Sequence, residues 1–367
     1  MRILWLTNIP SPYRVKFFND LGKNCELTVL FERRASEERD TRWSSFSAEN
    51  FKAIILPGIK MGVAEAFCPS AIKYLNRKYD HVVVTNFSDF TGILAILWMK
   101  IRNIEYEVES DGAFPNYEKS YKDKIKKFLF FSAKRCFSTA MLNDEYYLLN
   151  GVSKEKIVRY PFTSVLDEDV LLKPVSKAEK LMIREKLKIE EKHVILAVGQ
   201  FIHRKGFDVL IQAASYLNND YGLYIIGGTP TEEYIKLIGD LNLTNIHFLP
   251  FQGEESLDQY YKAANVFVHP TREDIWGLVV NEAMAKGLPV VTTNQCIAGM
   301  EMIEENINGK IVPVDDEKAL ADAICYCVKD SNMARKSIEK ALKFTIQNMS
   351  YKHLEVWSTE SKNLRRK

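Results

Sequence analysis

Twice along its 367 residues this chain runs through the same alternation, a short β-rich run followed by a longer helical one. In the first half Ile3–Thr7, Leu27–Phe31, Phe51–Leu56 and Val82–Thr85 read as strands. Val15–Leu21 carries a helical pattern, and Gly92–Trp98 is a nearly all-apolar helix. The second half restarts with a strand at Val194–Val198 and a helix over Phe207–Leu217, apolar at 207, 210, 211, 214 and 217. Strands at Leu223–Ile226, Ile246–Leu249, Val266–Val268 and Val290–Thr292 follow. A β-α-β order builds a parallel sheet with helices on both faces. The expected fold class is therefore α/β, two doubly wound parallel-sheet domains in tandem. The polar stretch Leu166–Lys180, with Pro174, reads as a linker between a first domain over 1–165 and a second over 181–345. A helical tail, 346–367, could cross back to the first domain. Ligands of such sheets bind beyond the carboxyl ends of the strands, and two facing sheets make a cleft.

Composition removes several functions. With 50 basic and 48 acidic residues the net charge is +2, so no global field marks a nucleic-acid binder. Six dispersed cysteines read as reduced thiols of a cytosolic protein, and six scattered histidines form no zinc constellation. The longest apolar stretch, Gly92–Ile101, contains Lys100 and falls short of the roughly 20 residues a membrane span needs. No signal peptide is read, so a cytoplasmic location is expected, extending to the inner face of a membrane.

Chemistry concentrates in Thr271–Val291. A loop containing Gly277 enters a helix near Leu278, and two carboxylates, Asp274 and Glu282, stand eight positions apart on either side of the helix start. The amides of Gly277, Leu278 and Val279 at that start suit an anion such as diphosphate. A carboxylate on each side could accept hydrogen bonds from hydroxyls flanking the phosphates; the alternative for Glu282 is a solvated helix residue. A second stretch, Val198–Gly206, is strand, loop and helix start. Lys205 stands where its ammonium meets a phosphate already favoured by the helix dipole.

The run from Asp274 through Trp276-Gly277-Leu278-Val279-Val280, Glu282–Ala285 and Gly287–Val291 resembles the E-x7-E region of retaining glycosyltransferases of family 4, which have the GT-B fold. Asp274 replaces the commoner first Glu. The resemblance implies that Asp274 faces the donor sugar hydroxyls and Glu282 the nucleotide ribose. In the family pattern G-R-x-x-x-x-K-G an Arg and a Lys neutralise the leaving diphosphate. Lys205 matches, whereas Gln200 stands in the Arg position, and Arg204 could supply the missing charge or lie at the surface. Phe251, after the strand Ile246–Leu249, is either near the nucleotide base or core. The loop after the first strand, with Ser11, Tyr13 and Arg14, faces the acceptor or packs locally. Asp111, beyond the alternating run Ile104–Glu109, falls where many family members present a His or Asp to the donor sugar. The other acids of that run, Glu105, Glu107 and Glu109, are expected to meet basic partners or solvent. Asp167-Glu168-Asp169 spells the D-x-D of metal-dependent glycosyltransferases without a strand ahead of it, and reads as structural.

The resemblance thus implies transfer of a sugar from a nucleotide-diphosphate sugar, a UDP-sugar, to a glycan or lipid-linked acceptor hydroxyl. The anomeric configuration would be retained, with Asp111, Lys205 and Asp274 at the reaction centre. The nucleotide sugar is a substrate, and no cofactor, metal or nucleic-acid partner is expected. A sugar-nucleotide epimerase of the same fold and a non-catalytic two-domain sugar-binding protein are the rivals. The segment 119–135 carries seven Lys/Arg against Asp123 alone, interleaved with Phe128, Leu129, Phe130 and Phe131. It reads either as peripheral contact with an anionic membrane or as a solvated helix face whose aromatics are core.

Overall fold

The β-branched and aromatic runs become strands in the computed structural model, which describes residues 1–35, 46–61, 63, 65–118, 121–330 and 332–364. The first half runs β1 (Arg2–Thr7), α1 (Pro12–Gly22), β2 (Glu26–Phe31), β3 (Lys52–Ile55), a small antiparallel pair β4 (Ile59–Lys60) and β5 (Ala66–Phe67), and β6 (His81–Val84). It continues through α2 (Phe90–Ile101), β7 (Glu107–Glu109), α3 (Tyr121–Phe131), β8 (Arg135–Ser138), α4 (Met141–Leu149) and β9 (Ile157–Arg159). Its seven-stranded sheet has the order β3-β2-β1-β6-β7-β8-β9, with every neighbouring pair parallel. Pro12 opens α1, where its missing N–H costs nothing, and Asp89 caps α2 by accepting from the Gly92 amide at 2.7 Å.

The second half runs α5 (Lys177–Leu187), β10 (His193–Val198), α6 (Phe207–Ala214), β11 (Tyr221–Ile226), α7 (Glu232–Asp240), β12 (Ile246–Leu249), α8 (Glu254–Ala263) and β13 (Val266–His269). Then come α9 (Leu278–Ala285), β14 (Val290–Thr293), α10 (Ile297–Met302), β15 (Gly309–Val312), α11 (Glu317–Lys329) and α12 (Met333–Ala341). Its six strands lie in the order β12-β11-β10-β13-β14-β15, again all parallel. In both sheets the chain works outward in one direction and then returns to the other side of the first strand. The reversal falls between β1 and β6 in one sheet and between β10 and β13 in the other. Ligands of doubly wound sheets bind at this point.

The chain divides into two compact units, Met1–Ser164 with Thr345–Lys367, and Val165–Phe344. Each has a core of Val, Ile, Leu and Phe between its sheet and helices. The last helix, α13 (Ile346–Leu364), belongs to the first unit. It buries the stripe Ile346, Met349, His353 and Trp357, spaced three, four and four residues apart, as one face of a helix requires. The Trp357 indole donates to Glu107 at 2.7 Å, and its ring stacks on His81.

Two local expectations change. The stretch 166–180 is not a free linker. Val165 and Val170 are buried, the Leu171 amide bonds the Ala285 carbonyl at 2.9 Å, and α5 begins at Lys177. Asp167–Asp169 forms a single 3-10 turn within it, and Lys286 donates to the Asp169 carbonyl at 2.8 Å, so this D-x-D is part of the packing. Beyond β1, the expected loop is short. Ser11 is the residue before the helix, and Tyr13 and Arg14 already lie in the first turn of α1 because Pro12 starts it.

Candidate active site

Lys205 and Asp274 come from different strands that lie side by side. Lys205 ends a 3-10 turn, His203–Lys205, after β10; Asp274 lies on the loop after β13; and β10 pairs with β13 at the point where the strand order reverses. The Lys205 ammonium stands 2.6 Å from Asp274 Oδ2. Gly206 makes this approach possible. Its φ of 66° is in the left-handed region, and a Cβ there would lie 2.0 Å from the Pro270 carbonyl oxygen. Asp274 itself is fixed through its backbone, its amide bonding the Gln295 carbonyl at 2.8 Å and its carbonyl accepting from Ile297 at 3.1 Å.

A residue that sequence reasoning passed over completes the group. His269, the last residue of β13, is fully buried, with Nε2 3.0 Å from the same Asp274 oxygen. Burial and the Lys205 charge push this imidazole below its ordinary value, so the neutral ring carries its proton on Nε2 and donates it to the carboxylate. Nδ1 has no hydrogen-bond partner among the described residues. Burial works against the Asp274 carboxylate, but His269 and then Lys205 outweigh it and hold the group well below the usual carboxylate range. Arg204, half exposed, folds over the same loop. It donates to the Glu273 carbonyl at 2.7 Å and lies 3.8 Å from Asp274 Oδ1. The guanidinium lies beside Asp274 and stays 47% exposed. Gln200 is exposed on the loop after β10.

Helix α9 starts directly beyond Asp274. Gly277 precedes it with a φ of 101°, and the first amide to bond back is that of Val280, to the Gly277 carbonyl at 2.9 Å. The amides of Gly277, Leu278 and Val279 therefore form the helix start, where an anion is favoured. Glu282, on the second turn, is half-buried rather than solvated, and accepts from the buried Tyr261 hydroxyl of α8 at 3.1 Å. Phe251 is 48% exposed after β12, which removes the core alternative.

The first unit gathers a second group. Arg14, 2% exposed, forks between Glu109 at the end of β7 and Asp111 just beyond it. Tyr13 donates to the other Asp111 oxygen at 2.7 Å. Burial opposes the Arg14 charge, but Asp111 and Glu109 outweigh it and keep the guanidinium ionised. Burial also opposes the Glu109 carboxylate, which Arg14 and His353 hold below its usual range; His353 Nε2 lies 2.8 Å away. Glu107 meets His81 and Arg135 at 2.9 and 2.6 Å, and Glu105 meets Lys134 at 2.6 Å, so all three acids of the alternating run have basic partners. Lys205, Arg204, Asp274 and His269 are thus one cluster in the second unit, and Asp111, Tyr13 and Arg14 one cluster in the first.

Residues 179–344 match the family model described as glycosyl transferases group 1. The matched residues fall within the second unit, Val165–Phe344. An uncharacterized glycosyltransferase of Haemophilus influenzae is 26% identical over 189 residues, 50% of this chain and 53% of that one. The lipopolysaccharide core biosynthesis glycosyltransferase LpsE of Rhizobium meliloti is 30% identical over 150 residues, 40% of this chain and 43% of that one. The chain thus spans about half the length of the curated relatives it matches. The structure of Anabaena HepE in complex with UDP superposes with a TM-score of 0.80 at 16% identity, covering 98% of this chain and 100% of that one. The fold is accordingly GT-B, two Rossmann-like domains each built on a parallel sheet.

Proposed function

We propose that the protein is a retaining hexosyltransferase that moves a sugar from a UDP-sugar to a hydroxyl of a glycan or lipid-linked acceptor without a metal ion, in the assembly of a surface polysaccharide such as lipopolysaccharide or capsule. The observation that carries this reading is the Lys205–Asp274 pair beside the start of α9, at the strand reversal of the group 1 domain. The UDP held by HepE and the name of LpsE support the donor class and the product class.

In this reading the diphosphate lies against the amides of Gly277, Leu278 and Val279, and Lys205 takes up its charge. Asp274 accepts from donor sugar hydroxyls and Glu282, steadied by Tyr261, from the ribose, with Phe251 beside the base. Gln200 and Arg204 flank the phosphates. The bond from the anomeric carbon to the phosphate oxygen breaks with oxocarbenium character. The acceptor oxygen bonds to that carbon on the same face, and its proton passes to the departing phosphate oxygen. Lys205 and the helix amides stabilise the charge that develops on the leaving group, a role that a metal would otherwise fill. The acceptor belongs to the first unit, where Ser11, Tyr13 and Arg14 precede Asp111, the polar group assigned to the reaction.

The test is turnover of UDP-, GDP-, ADP- and TDP-sugars with a mixed glycan acceptor pool. UDP-sugar turnover that requires acceptor, gives a product of retained configuration, persists in chelator and disappears in Lys205→Ala and Glu282→Ala is expected. Acceptor-independent conversion, or full activity in either variant, would overturn the reading.

A further inference from the structure

The basic segment 119–135 contains α3, with Leu129 and Phe130 in the core and Phe128 and Phe131 exposed; residues 119 and 120 lie outside the described residues. In the second unit, His269 ends β13 as a fully buried ring. Its backbone is fixed by β14: His269 pairs with Thr292, whose hydroxyl donates to the His269 carbonyl at 2.7 Å. The ring lies against the start of α9. A Cβ on Gly277 would stand 3.6 Å from Nε2 and 2.9 Å from the Cys296 sulfur. Packing alone does not account for an imidazole here. Nδ1 is buried without a hydrogen-bond partner among the described residues, an unfavourable arrangement that an apolar side chain of similar size would avoid. What the imidazole adds is one N–H, and it goes to Asp274 Oδ2 over 3.0 Å.

The same oxygen also takes Lys205, at 2.6 Å, and the two donors differ in kind. Lys205 is a point charge on a flexible four-carbon stem. In the donor reading it has a second task, because the ammonium that bonds Asp274 also takes up the charge of the diphosphate. A phosphate drawing on that ammonium competes with its bond to the carboxylate. His269 is uncharged, buried and carried on a strand, so it has no part in that competition. With Oδ2 occupied, the acceptor left for a sugar hydroxyl is Oδ1. The Trp276 amide at 3.5 Å and the Arg204 guanidinium at 3.8 Å hold this oxygen only loosely. The last torsion of an aspartate is broad, and turning it exchanges the two oxygens. A fixed N–H on Oδ2 is what keeps Oδ1 aimed.

We propose that His269 is a positioning residue of the transfer reaction: its Nε2–H holds Asp274 Oδ2 and so keeps Oδ1 directed at one donor-sugar hydroxyl while Lys205 serves the diphosphate. This rests on the donor reading. The test compares wild type, His269→Leu and His269→Gln in two measurements. One is calorimetric titration with UDP. The other is steady-state transfer from UDP-glucose, UDP-galactose and UDP-N-acetylglucosamine to the mixed glycan acceptor pool. Leucine fills the space without an N–H, whereas glutamine carries an amide N–H that can reach the same oxygen. All three proteins should bind UDP within about threefold of one another, because UDP lacks the sugar that Asp274 receives. His269→Leu should lower kcat about tenfold or more, and His269→Gln should recover most of that loss. Wild-type kcat in His269→Leu, equal losses in the two variants, or loss of UDP binding alongside turnover would overturn the positioning role. A wild type that binds no UDP, or transfers none of the three sugars, would overturn the donor reading and this inference with it.

Discussion

Asp274 sits where two demands meet. It is mostly buried, which disfavours its charge, and it accepts from Lys205 and His269 on one oxygen, which restores it. Its folded value lies below the unfolded one. It therefore contributes stability above the ordinary carboxylate range, and that contribution is lost only as pH falls through the lower, folded value. Stability and nucleotide affinity should show no step from Asp274 between about pH 5 and pH 8, whereas an Asp274-linked step there would contradict the assignment. Asp274→Asn leaves an acceptor for His269 but sets an amide against the Lys205 ammonium. It should cost roughly 1–3 kcal/mol, read as a lowered unfolding midpoint, and abolish turnover. Gly206 is equally specific. A methyl there has no room beside the Pro270 carbonyl, and the positive φ strains any other residue. Gly206→Ala should destabilise by about 1–3 kcal/mol and weaken nucleotide binding by displacing Lys205.

At the scale of elements, the first unit holds a buried carboxyl pair between β2 and α2. Burial and the neighbouring Asp89 charge push Glu32 up to about 9, and burial pushes Asp89 up to about 6. Glu32 accepts from the Ala66 amide at 2.9 Å and from the Asn86 side chain. An acid raised by folding has the opposite linkage to Asp274. Its contribution is complete below the unfolded value, near pH 4.5, and is lost as pH climbs to about 9. The unfolding midpoint should therefore fall from about pH 4.5 to about pH 9, and Glu32→Gln should flatten the fall; an unchanged slope would disprove the assignment. The last helix is the other element with a measurable role. Trp357 is fully buried against His81, Trp5 and Phe137, so Trp357→Ala should cost about 3–5 kcal/mol. Chemical denaturation would show this as an earlier loss of the first unit.

At the scale of the molecule, two separate cores and two parallel sheets were legible because buried parallel strands are near-continuous apolar runs, as in Val194–Val198 and Val82–Val84. Lys205, Asp274 and α9 were legible because glycine and proline punctuate the loops that carry them. His269 was not. One buried histidine at a strand end has no periodic signature, and its partner is defined only once β13 turns. The link from His353 to Glu109 spans 244 positions, and nothing local announces it. Helix α5 was hidden in a polar run because its buried face is Ile183 and Arg184, while Leu181 and Met182 face out. The Arg184 guanidinium is spent on the Ala263 carbonyl and the Asn265 side chain. The central claim is that the second unit binds a nucleoside diphosphate through Lys205. Calorimetric titration of UDP into wild type and Lys205→Ala, each checked for an intact unfolding transition, tests it most directly. A ligand at 100 times its Kd adds about 2.7 kcal/mol to the state that binds it, roughly 5–10 °C for a unit of this size, so unfolding should report the same binding. Binding in wild type that weakens about tenfold or more in Lys205→Ala is predicted; no binding of UDP by wild type, or equal affinity in the two proteins, would contradict the account.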